Sequence, residues 1–359
     1  MSTAKMVFHG SDIEKICEVY QLKPEEIVKF GANVNPLGLS EHVKEQLAGR
    51  LDILSSYPDR DYVSLRNTIA AYCQIPAEFI LPGNGSSELI SLLIQERAPK
   101  HTLILGPTYS EYSRELSFSG STQEYYHLRE ERNFTLDVED LCKTLENGYD
   151  FLILCNPNNP TGISIDREFL FRVLRVCREM DILLVVDECF LDFTGKEDEL
   201  SYVKNILRYR GLFVLKAFTK MYAIPGIRLG YGITYDKELI GKMYDAGQPW
   251  NVSVLAQNAG IAALDEDKFA ADTVSLISKE REFIYTNFQK MNIKYWESDA
   301  NYIFFMHKKG LKEELLNRGI LIRDCSNYKN LTDGYYRIAI KSHKDNVKLI
   351  DALADIDIN

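Results

Sequence analysis

Residues 214–230 read Val-Leu-Lys-Ala-Phe-Thr-Lys-Met-Tyr-Ala-Ile-Pro-Gly-Ile-Arg-Leu-Gly. The stretch begins within an apolar run, residues 212–215, that predicts a buried strand, and a second strand is expected directly after it, over residues 231–234. Lys220 lies between these strands, and Arg228 follows eight residues later. Burial lowers the pKa of a lysine amine and makes it a nucleophile, whereas the planar guanidinium of an arginine binds phosphate well. The stretch therefore predicts a reactive amine near a phosphate-binding group, although solvated surface charges give the same pattern.

The composition is typical of a soluble globular protein. The chain has 359 residues, of which 45% are hydrophobic and 26% charged, and this length suits one large domain with a smaller one. Its net charge of −10 argues against nucleic acid or an anionic membrane as the main partner. An anionic ligand therefore needs a local basic pocket.

The spacing of the cysteines and the length of the apolar runs exclude further classes of protein. Seven cysteines are scattered without a Cys-x-x-Cys pair, so we expect neither a disulfide framework nor a metal site. The first ten residues contain no apolar core of signal-peptide length, and no 18 apolar residues run together. We therefore expect a cytoplasmic protein that spans no membrane.

Short apolar runs alternate with longer amphipathic segments through the first two thirds of the chain. Strand candidates cover residues 102–105, 151–155, 182–186 and 212–215, and helix candidates cover residues 89–97, 138–145, 167–180 and 200–209. This alternation predicts an α/β fold, a mainly parallel sheet flanked by helices, with ligands beyond the carboxyl ends of the strands. After Trp250 shorter strands alternate with helices, which predicts a smaller α+β domain. We expect residues 1–44 to complete the small domain, residues 45–264 to form the large one and residues 265–359 the C-terminal one.

Two motifs follow predicted strands and favour phosphate and ring binding. Residues 82–88, Pro-Gly-Asn-Gly-Ser-Ser-Glu, precede an apolar helix, where glycines admit a ligand and the helix N-terminus attracts an anion. An ordinary strand-to-helix turn is the alternative interpretation. Residues 155–162, Cys-Asn-Pro-Asn-Asn-Pro-Thr-Gly, contain two Asn-Pro steps that hold the backbone extended and can aim an amide into a site.

An acid and an aromatic side chain complete the pattern. Asp187 ends an apolar strand, where a carboxylate is costly unless it is paired. A protonated pyridine nitrogen would pair it, and this pairing keeps pyridoxal phosphate (PLP) an electron sink. Tyr109 follows another strand and can stack on a flat ring. A helix cap for Asp187 and core packing for Tyr109 are the alternatives.

Together these residues resemble the fold-type I PLP-dependent enzymes of the aminotransferase superfamily, over nearly the full length of the chain. The resemblance rests, in chain order, on Gly85, Ser86, Ser87, Tyr109, Asn159-Pro160-Thr161-Gly162, Asp187, Lys220, Arg228 and Arg337. It implies that Lys220 attaches PLP covalently and later moves a proton, and that Asp187 pairs with the pyridine nitrogen. Asn159 would bond to the ring hydroxyl and Tyr109 would cover the ring. The residues implied at the cofactor phosphate are Gly85, Ser86, Ser87, Thr219 and Arg228.

The resemblance also implies a homodimer with shared active sites. Tyr57, in Tyr-Pro-Asp, is similar to the tyrosine that reaches the neighbouring subunit's cofactor phosphate, and Arg337 to the arginine that grips a substrate carboxylate. Two positions depart from the pattern. Phe190 replaces a tyrosine that assists the ring oxygen in many members, and Ala217 replaces a serine or threonine that contacts the phosphate.

Two families within the superfamily fit: the L-threonine-O-3-phosphate decarboxylases of cobalamin synthesis and the histidinol-phosphate aminotransferases. The segments that resemble the decarboxylases are residues 8–12, 30–38, 187–190, 249–252 and 322–328. This resemblance implies a phosphorylated amino-acid substrate bound by His9, Asn33, Asn159, Arg323 and Arg337. Either arginine suits the phosphate or the carboxylate of such a substrate. The alternatives to substrate binding are a surface role for His9 and a position at the rim of the site for Arg323.

The choice between the two reactions depends on substrate orientation. The bond that breaks is the one perpendicular to the cofactor ring, Cα–carboxylate in a decarboxylase and Cα–H in an aminotransferase. Threonine phosphate and serine phosphate differ by one methyl group, which discriminates by only about 1–3 kcal/mol. A non-catalytic regulator with this fold is a remote alternative, which the acidic charge and the lack of a helix-turn-helix segment disfavour.

Overall fold

The structure, a computed structural model, describes residues 13–358, with all side chains in that range except those of residues 13, 15, 267, 357 and 358. The strands are β1 (Val28–Lys29), β2 (Ile80–Gly83), β3 (His101–Gly106), β4 (Thr122–His127), β5 (Phe151–Cys155), β6 (Leu183–Asp187), β7 (Leu212–Ala217), β8 (Gly230–Thr234), β9 (Tyr295–Trp296), β10 (Tyr302–Met306), β11 (Ile320–Leu321), β12 (Arg323–Asp324) and β13 (Tyr335–Ala339). The α-helices are α1 (Ile13–Tyr20), α2 (Glu41–Ala48), α3 (Val63–Cys73), α4 (Ser86–Arg97), α5 (Ser110–Ser119), α6 (Val138–Leu145), α7 (Arg167–Glu179), α8 (Glu197–Leu200), α9 (Phe218–Met221), α10 (Lys237–Ala246), α11 (Val254–Ala263), α12 (Asp267–Lys290), α13 (Leu311–Leu316) and α14 (His343–Ile358).

Seven strands form the large sheet, in the order β2-β8-β7-β6-β5-β3-β4. Every residue of β5, β6 and β7 is buried, as expected for strands covered by helices on both faces. The predicted α/β fold with a mainly parallel sheet is confirmed. Strand β8 alone in this sheet runs antiparallel to its neighbours. The chain reverses direction between β7 and β8, so the last residue of β7, Ala217, pairs with the first residue of β8, Gly230.

The second part of the chain builds a smaller antiparallel sheet, in the order β12-β13-β10-β9. The N-terminal strand β1 pairs in parallel with β11, so the N-terminal segment packs against the C-terminal part. Helix α12, with 24 residues, joins the two sheets. Buried apolar side chains of both sheets belong to one continuous core. Within residues 13–358, no helix is both long and apolar enough to cross a membrane.

One predicted helix is wrong. Residues 200–209 form the end of α8 and a separate 3₁₀ helix, Val203–Arg208, instead of one α-helix. The buried Glu188 carboxylate explains the break, because it accepts bonds from the Tyr202 N–H at 2.6 Å and the Ser201 hydroxyl at 2.7 Å. The Glu188 carboxylate, 14 residues away in sequence, therefore accepts a bond from the Tyr202 N–H. In a continuous α-helix that N–H would donate to a backbone carbonyl of the helix.

Candidate active site

A cavity of about 550 Å³ lies at the carboxyl ends of the large-sheet strands, beside the small sheet. This is the position that ligands take in open α/β sheets. Most of the predicted site residues line it, namely Asn33, Ser86, Ser87, Tyr109, Asn159, Asp187, Thr219, Lys220, Arg228, Arg323 and Arg337. Phe190 and Ala217, the two departures, line it as well.

Lys220 lies in the one-turn helix α9, directly after β7. Burial lowers the pKa of its amine, and the guanidinium groups of Arg337 and Arg228 lower that pKa further. The Nζ atom lies 5.7 Å from the centre of the Phe190 ring. Asp187 and Cys189 oppose this shift without reversing it. A desolvated amine near two cations loses its proton more readily, so Lys220 has the properties of a nucleophile.

Asp187 ends β6 and is held by two donors. The Cys189 N–H donates to its Oδ1 at 2.9 Å, and the Tyr112 hydroxyl donates to its Oδ2 at 2.5 Å. Burial raises the pKa of the Tyr112 phenol well above its usual range, and the Asp187 charge raises it further. The phenol therefore stays protonated and remains a donor.

Sequence reasoning missed Tyr112, although a signal was present. Tyr112 follows Tyr109 by three residues at the start of α5, a spacing that brings two side chains to one face of a helix. Their ring centres are 5.4 Å apart in an edge-to-face arrangement, and both rings line the cavity.

An anion cradle forms where α4 begins. Gly85 has φ +78°, and a Cβ atom there would lie 2.6 Å from an Nη atom of Arg228. A Cβ atom on Gly230 would lie 2.6 Å from the Ser86 backbone nitrogen. These two glycines therefore let the Arg228 guanidinium and β8 lie against the start of a 12-residue helix, whose free N–H groups favour phosphate. Thr219 is buried beside them.

Two arginines from the small sheet also line the cavity. Arg323 on β12 and Arg337 on β13 are direct partners across an antiparallel pair. Both side chains are at least nine-tenths buried, and both line the cavity. Like charges directly opposite each other are destabilising, so this pair favours an anionic ligand between or beside the two guanidinium groups.

Two buried polar atoms at this end have no hydrogen-bond partner among the described residues, Arg337 Nε and Asn33 Oδ1. The other Arg337 nitrogens donate to Asn159 Oδ1 at 2.5 Å and to the Gly31 carbonyl at 2.8 Å. One orphaned donor and one orphaned acceptor therefore border the same cavity, and a bound ligand with both kinds of group would satisfy them.

Two predicted residues lie elsewhere. Tyr57 is 80% exposed and packs on Trp250, with ring centres 4.9 Å apart, outside the cavity of its own chain. His9 lies outside the described residues.

Residues 25–353 match the family model of class I and II aminotransferases. The chain belongs to this family. Its enzymes depend on PLP, so the cofactor predicted from the sequence is confirmed.

Relatives within the family carry out two reactions. Threonine-phosphate decarboxylase of Salmonella typhimurium (strain LT2) is 34% identical over 352 residues, which are 97% of this chain and 96% of that enzyme. The crystal structure of histidinol-phosphate aminotransferase from Clostridium acetobutylicum has a TM-score of 0.86 and 33% identity, and the match covers 91% of this chain and 98% of that one. The crystal structure of L-threonine-O-3-phosphate decarboxylase from Porphyromonas gingivalis has a TM-score of 0.80 and 25% identity, with the same coverage.

The family's cofactor fits the chemistry of the cavity. The Lys220 amine suits an aldehyde, and the Asp187 carboxylate suits a protonated pyridine nitrogen. The cradle at Gly85 and Arg228 leaves room that a Cβ atom would fill and presents a cation to a phosphate. Tyr109, whose ring borders the same space, has the flat apolar face that stacks on a ring.

Proposed function

We propose that this protein is a PLP-dependent decarboxylase that converts a phosphorylated amino acid, L-threonine phosphate or L-serine phosphate, to the amino-alcohol phosphate, a step of cobalamin synthesis. The observation that carries the proposal is the pair Arg323–Arg337, which faces the same cavity as Lys220 and Asp187. A substrate with a phosphate and a carboxylate offers one anion to each guanidinium. The similarity to two threonine-phosphate decarboxylases supports the same substrate class.

PLP, when bound, supplies an electron sink for the bond that breaks at Cα. In this proposal the carboxylate leaves as carbon dioxide, its bonding electron pair stays at Cα, and Lys220 delivers a proton to that carbon. Asp187 holds a positive charge at the ring nitrogen, and Tyr112 keeps the Asp187 carboxylate in place. Arg228, with Ser86, Ser87 and Thr219, holds the cofactor phosphate, while Arg323 and Arg337 hold the substrate.

Substrate orientation determines which bond breaks. Arg337 is held by its bonds to Asn159 and Gly31, so the direction of its Nε–H group, which has no partner among the described residues, is fixed. A substrate gripped at one end by Arg337 and at the other by Arg323 has little rotational freedom about Cα. We propose that this grip, with His9 and Asn33 as assistants, sets the Cα–carboxylate bond perpendicular to the ring.

Product analysis tests the proposal. The purified protein is incubated with PLP and threonine phosphate, serine phosphate or, with 2-oxoglutarate, histidinol phosphate. We expect carbon dioxide and an amino-alcohol phosphate from one of the first two, without a need for 2-oxoglutarate. The alternative, a histidinol-phosphate aminotransferase, is favoured by the similarity to the Clostridium acetobutylicum enzyme. Glutamate formed from histidinol phosphate and 2-oxoglutarate would support that alternative and refute ours.

We also propose a homodimer in which Tyr57 reaches the partner's cofactor phosphate. Leu51, Leu54, Tyr57 and Trp250 are each more than 40% exposed, and the rings of Tyr57 and Trp250 pack on each other. In this proposal a second copy covers these apolar side chains. Inactive Tyr57→Phe and Lys220→Ala subunits, when mixed, should regain part of the activity. An active monomer in sedimentation, or no complementation between two variants that are each inactive, would contradict the shared site.

The division of the chain at residues 44/45 and 264/265 and the cytoplasmic location also belong to the proposal. The two sheets, in residues 80–234 and 295–339, support the division. All seven cysteines are free thiols, as is usual in a reducing compartment. Limited proteolysis and cell fractionation test these two points.

A further inference from the structure

A lysine outside the cavity holds the segment that forms the wall of the substrate end. Residues 31–34 all line the cavity. The Nζ atom of Lys341, two residues beyond β13, donates to the Ala32 carbonyl at 3.0 Å. Within β13, Arg337 donates to the Gly31 carbonyl at 2.8 Å. Two cations from one part of the chain thus bind successive carbonyl groups of this wall.

The Ala32 carbonyl also closes the turn that carries Asn33. The Val34 N–H donates to it at 3.0 Å, which makes a three-residue turn with Asn33 at its centre. The Asn33 carbonyl in turn accepts a bond from Asn301 Nδ2 at 3.2 Å. An ammonium on the oxygen that closes the turn therefore fixes the direction of the Asn33 amide, whose buried Oδ1 has no partner within residues 13–358.

The position of Lys341 is itself well defined. One buried side chain, Asn346, accepts a bond from the Lys341 N–H at 3.0 Å and donates to the Lys341 carbonyl at 2.8 Å. Asn346 also donates to the buried Glu280 carboxylate at 2.9 Å. Both backbone groups of Lys341, its N–H and its carbonyl, are thus bonded to Asn346. The position from which the Lys341 side chain extends to the cavity wall is therefore fixed.

We propose that Lys341 is a positioning residue for substrate binding, which fixes the turn at Ala32 and so aims the Asn33 amide at the ligand. This inference rests on the proposed function of the cavity. The charged groups that act on Lys341 are Asp345 on α14, Lys29 on β1 and Lys220 after β7. Burial lowers the pKa of the Lys341 amine to about 8, Asp345 opposes this shift, and Lys29 and Lys220 add to it.

The test compares Lys341→Met, Lys341→Arg and a matched control, Lys344→Met, which makes the same change at an exposed site three residues away. We expect Lys341→Met to raise KM for threonine phosphate about 10-fold or more, with kcat within about 3-fold and PLP loading unchanged, because a charge-assisted hydrogen bond is lost. Lys341→Arg should have a KM within about 3-fold of the parent value, because arginine keeps the charge. Lys344→Met should leave KM unchanged.

The pH dependence gives a second readout. Above pH 8 the Lys341 amine loses its charge and its bond to Ala32 weakens, so KM of the parent should rise. The Lys341→Arg variant should lack this component, since arginine stays charged. The comparison therefore isolates the charge at residue 341, together with its electrostatic effect on Lys220.

A KM of Lys341→Met within 2-fold of the parent would overturn the inference. If Lys341→Met does not fold, identical pH profiles of the parent and Lys341→Arg would overturn it. If the parent acts on no phosphorylated amino acid, the proposed function fails, and a crystal structure of Lys341→Met then decides the inference separately. A displaced turn at Asn33 would support the positioning role, and an unmoved turn would refute it.

Discussion

Replacing Arg323 by alanine should weaken the binding of phosphorylated substrates and leave the cofactor in place. The guanidinium carbon lies 5.1 Å from the centre of the Tyr328 ring, and Nη2 donates to Asn327 Oδ1 at 2.9 Å. The side chain is 9% exposed. A guanidinium held in this way loses little conformational freedom when an anion binds, so most of the interaction energy contributes to affinity.

The magnitude follows from the type of bond. A hydrogen bond to a charged group contributes about 1.5–3 kcal/mol net, which corresponds to a factor of about 10–150 in binding. We therefore expect Arg323→Ala to lower kcat/KM for threonine phosphate by about 10- to 150-fold, and Arg323→Lys to lower it less. Unphosphorylated threonine should be a poor substrate for parent and variant alike, so the preference for the phosphorylated compound should shrink.

The assay measures kcat/KM for both compounds, and absorbance of bound PLP reports cofactor loading. Arg318→Ala is the matched control, because Arg318 is exposed and bonds to the Glu314 carbonyl of its own helix region. If Arg323→Ala processes threonine phosphate as well as the parent does, Arg323 is a rim charge and our account of the substrate end is wrong.

Three further changes test other parts of the site. Lys220→Ala should abolish turnover and covalent PLP attachment while the fold is kept, and a borohydride-reducible adduct in this variant would contradict the assignment. Asp187→Asn should slow the reaction by orders of magnitude, since a neutral amide does not stabilise a protonated pyridine, and near-parental activity would refute the pairing. The folded-state pKa of Lys341, about 8 against a usual 10.5, means that the unfolded chain binds more protons between these values. Stability of the parent relative to Lys341→Met should therefore rise across that pH window, and a constant difference in chemical denaturation would contradict the lowered pKa.

Local patterns predicted much of the fold. Strand β5 and helix α6 begin and end where the apolar runs and the helical spacing placed them. Strand β5 is buried on both faces, so an unbroken apolar run marks it. Helix α6 has an N-cap, Asp137, whose side chain accepts bonds from the first N–H groups. Such features depend on neighbours in sequence, and the sequence displays them directly.

Features that depend on distant residues were missed. The break near Tyr202 follows from Glu188, which lies 14 residues away, and the reversed direction of β8 follows from how its connection turns. No local pattern contains either fact.

The site residues divide in the same way, into those that local motifs predicted and those whose positions depend on distant parts of the chain. Motifs at the ends of parallel strands converge because those ends share one edge of the sheet, so Asp187 and Lys220 could be placed near each other from the sequence. The pairing of Arg323 with Arg337 depends on the register between β12 and β13, and the bond from Tyr112 to Asp187 depends on how α5 packs. Non-local register and packing therefore define the substrate end. The roles assigned to the site residues stay predictions until the variants are measured.

The fate of the Cα hydrogen tests the central claim most directly. The compound that the protein turns over, threonine phosphate or serine phosphate, is prepared with deuterium at Cα and ¹³C in the carboxylate. It is incubated with the PLP-loaded protein, and the products are analysed by mass spectrometry. A decarboxylase leaves the Cα–H bond intact, so we predict ¹³C-labelled carbon dioxide and an equal amount of amino-alcohol phosphate that keeps its deuterium. Loss of deuterium to solvent together with a labelled keto acid would show that Cα–H is the bond that breaks, and would contradict the decarboxylase account.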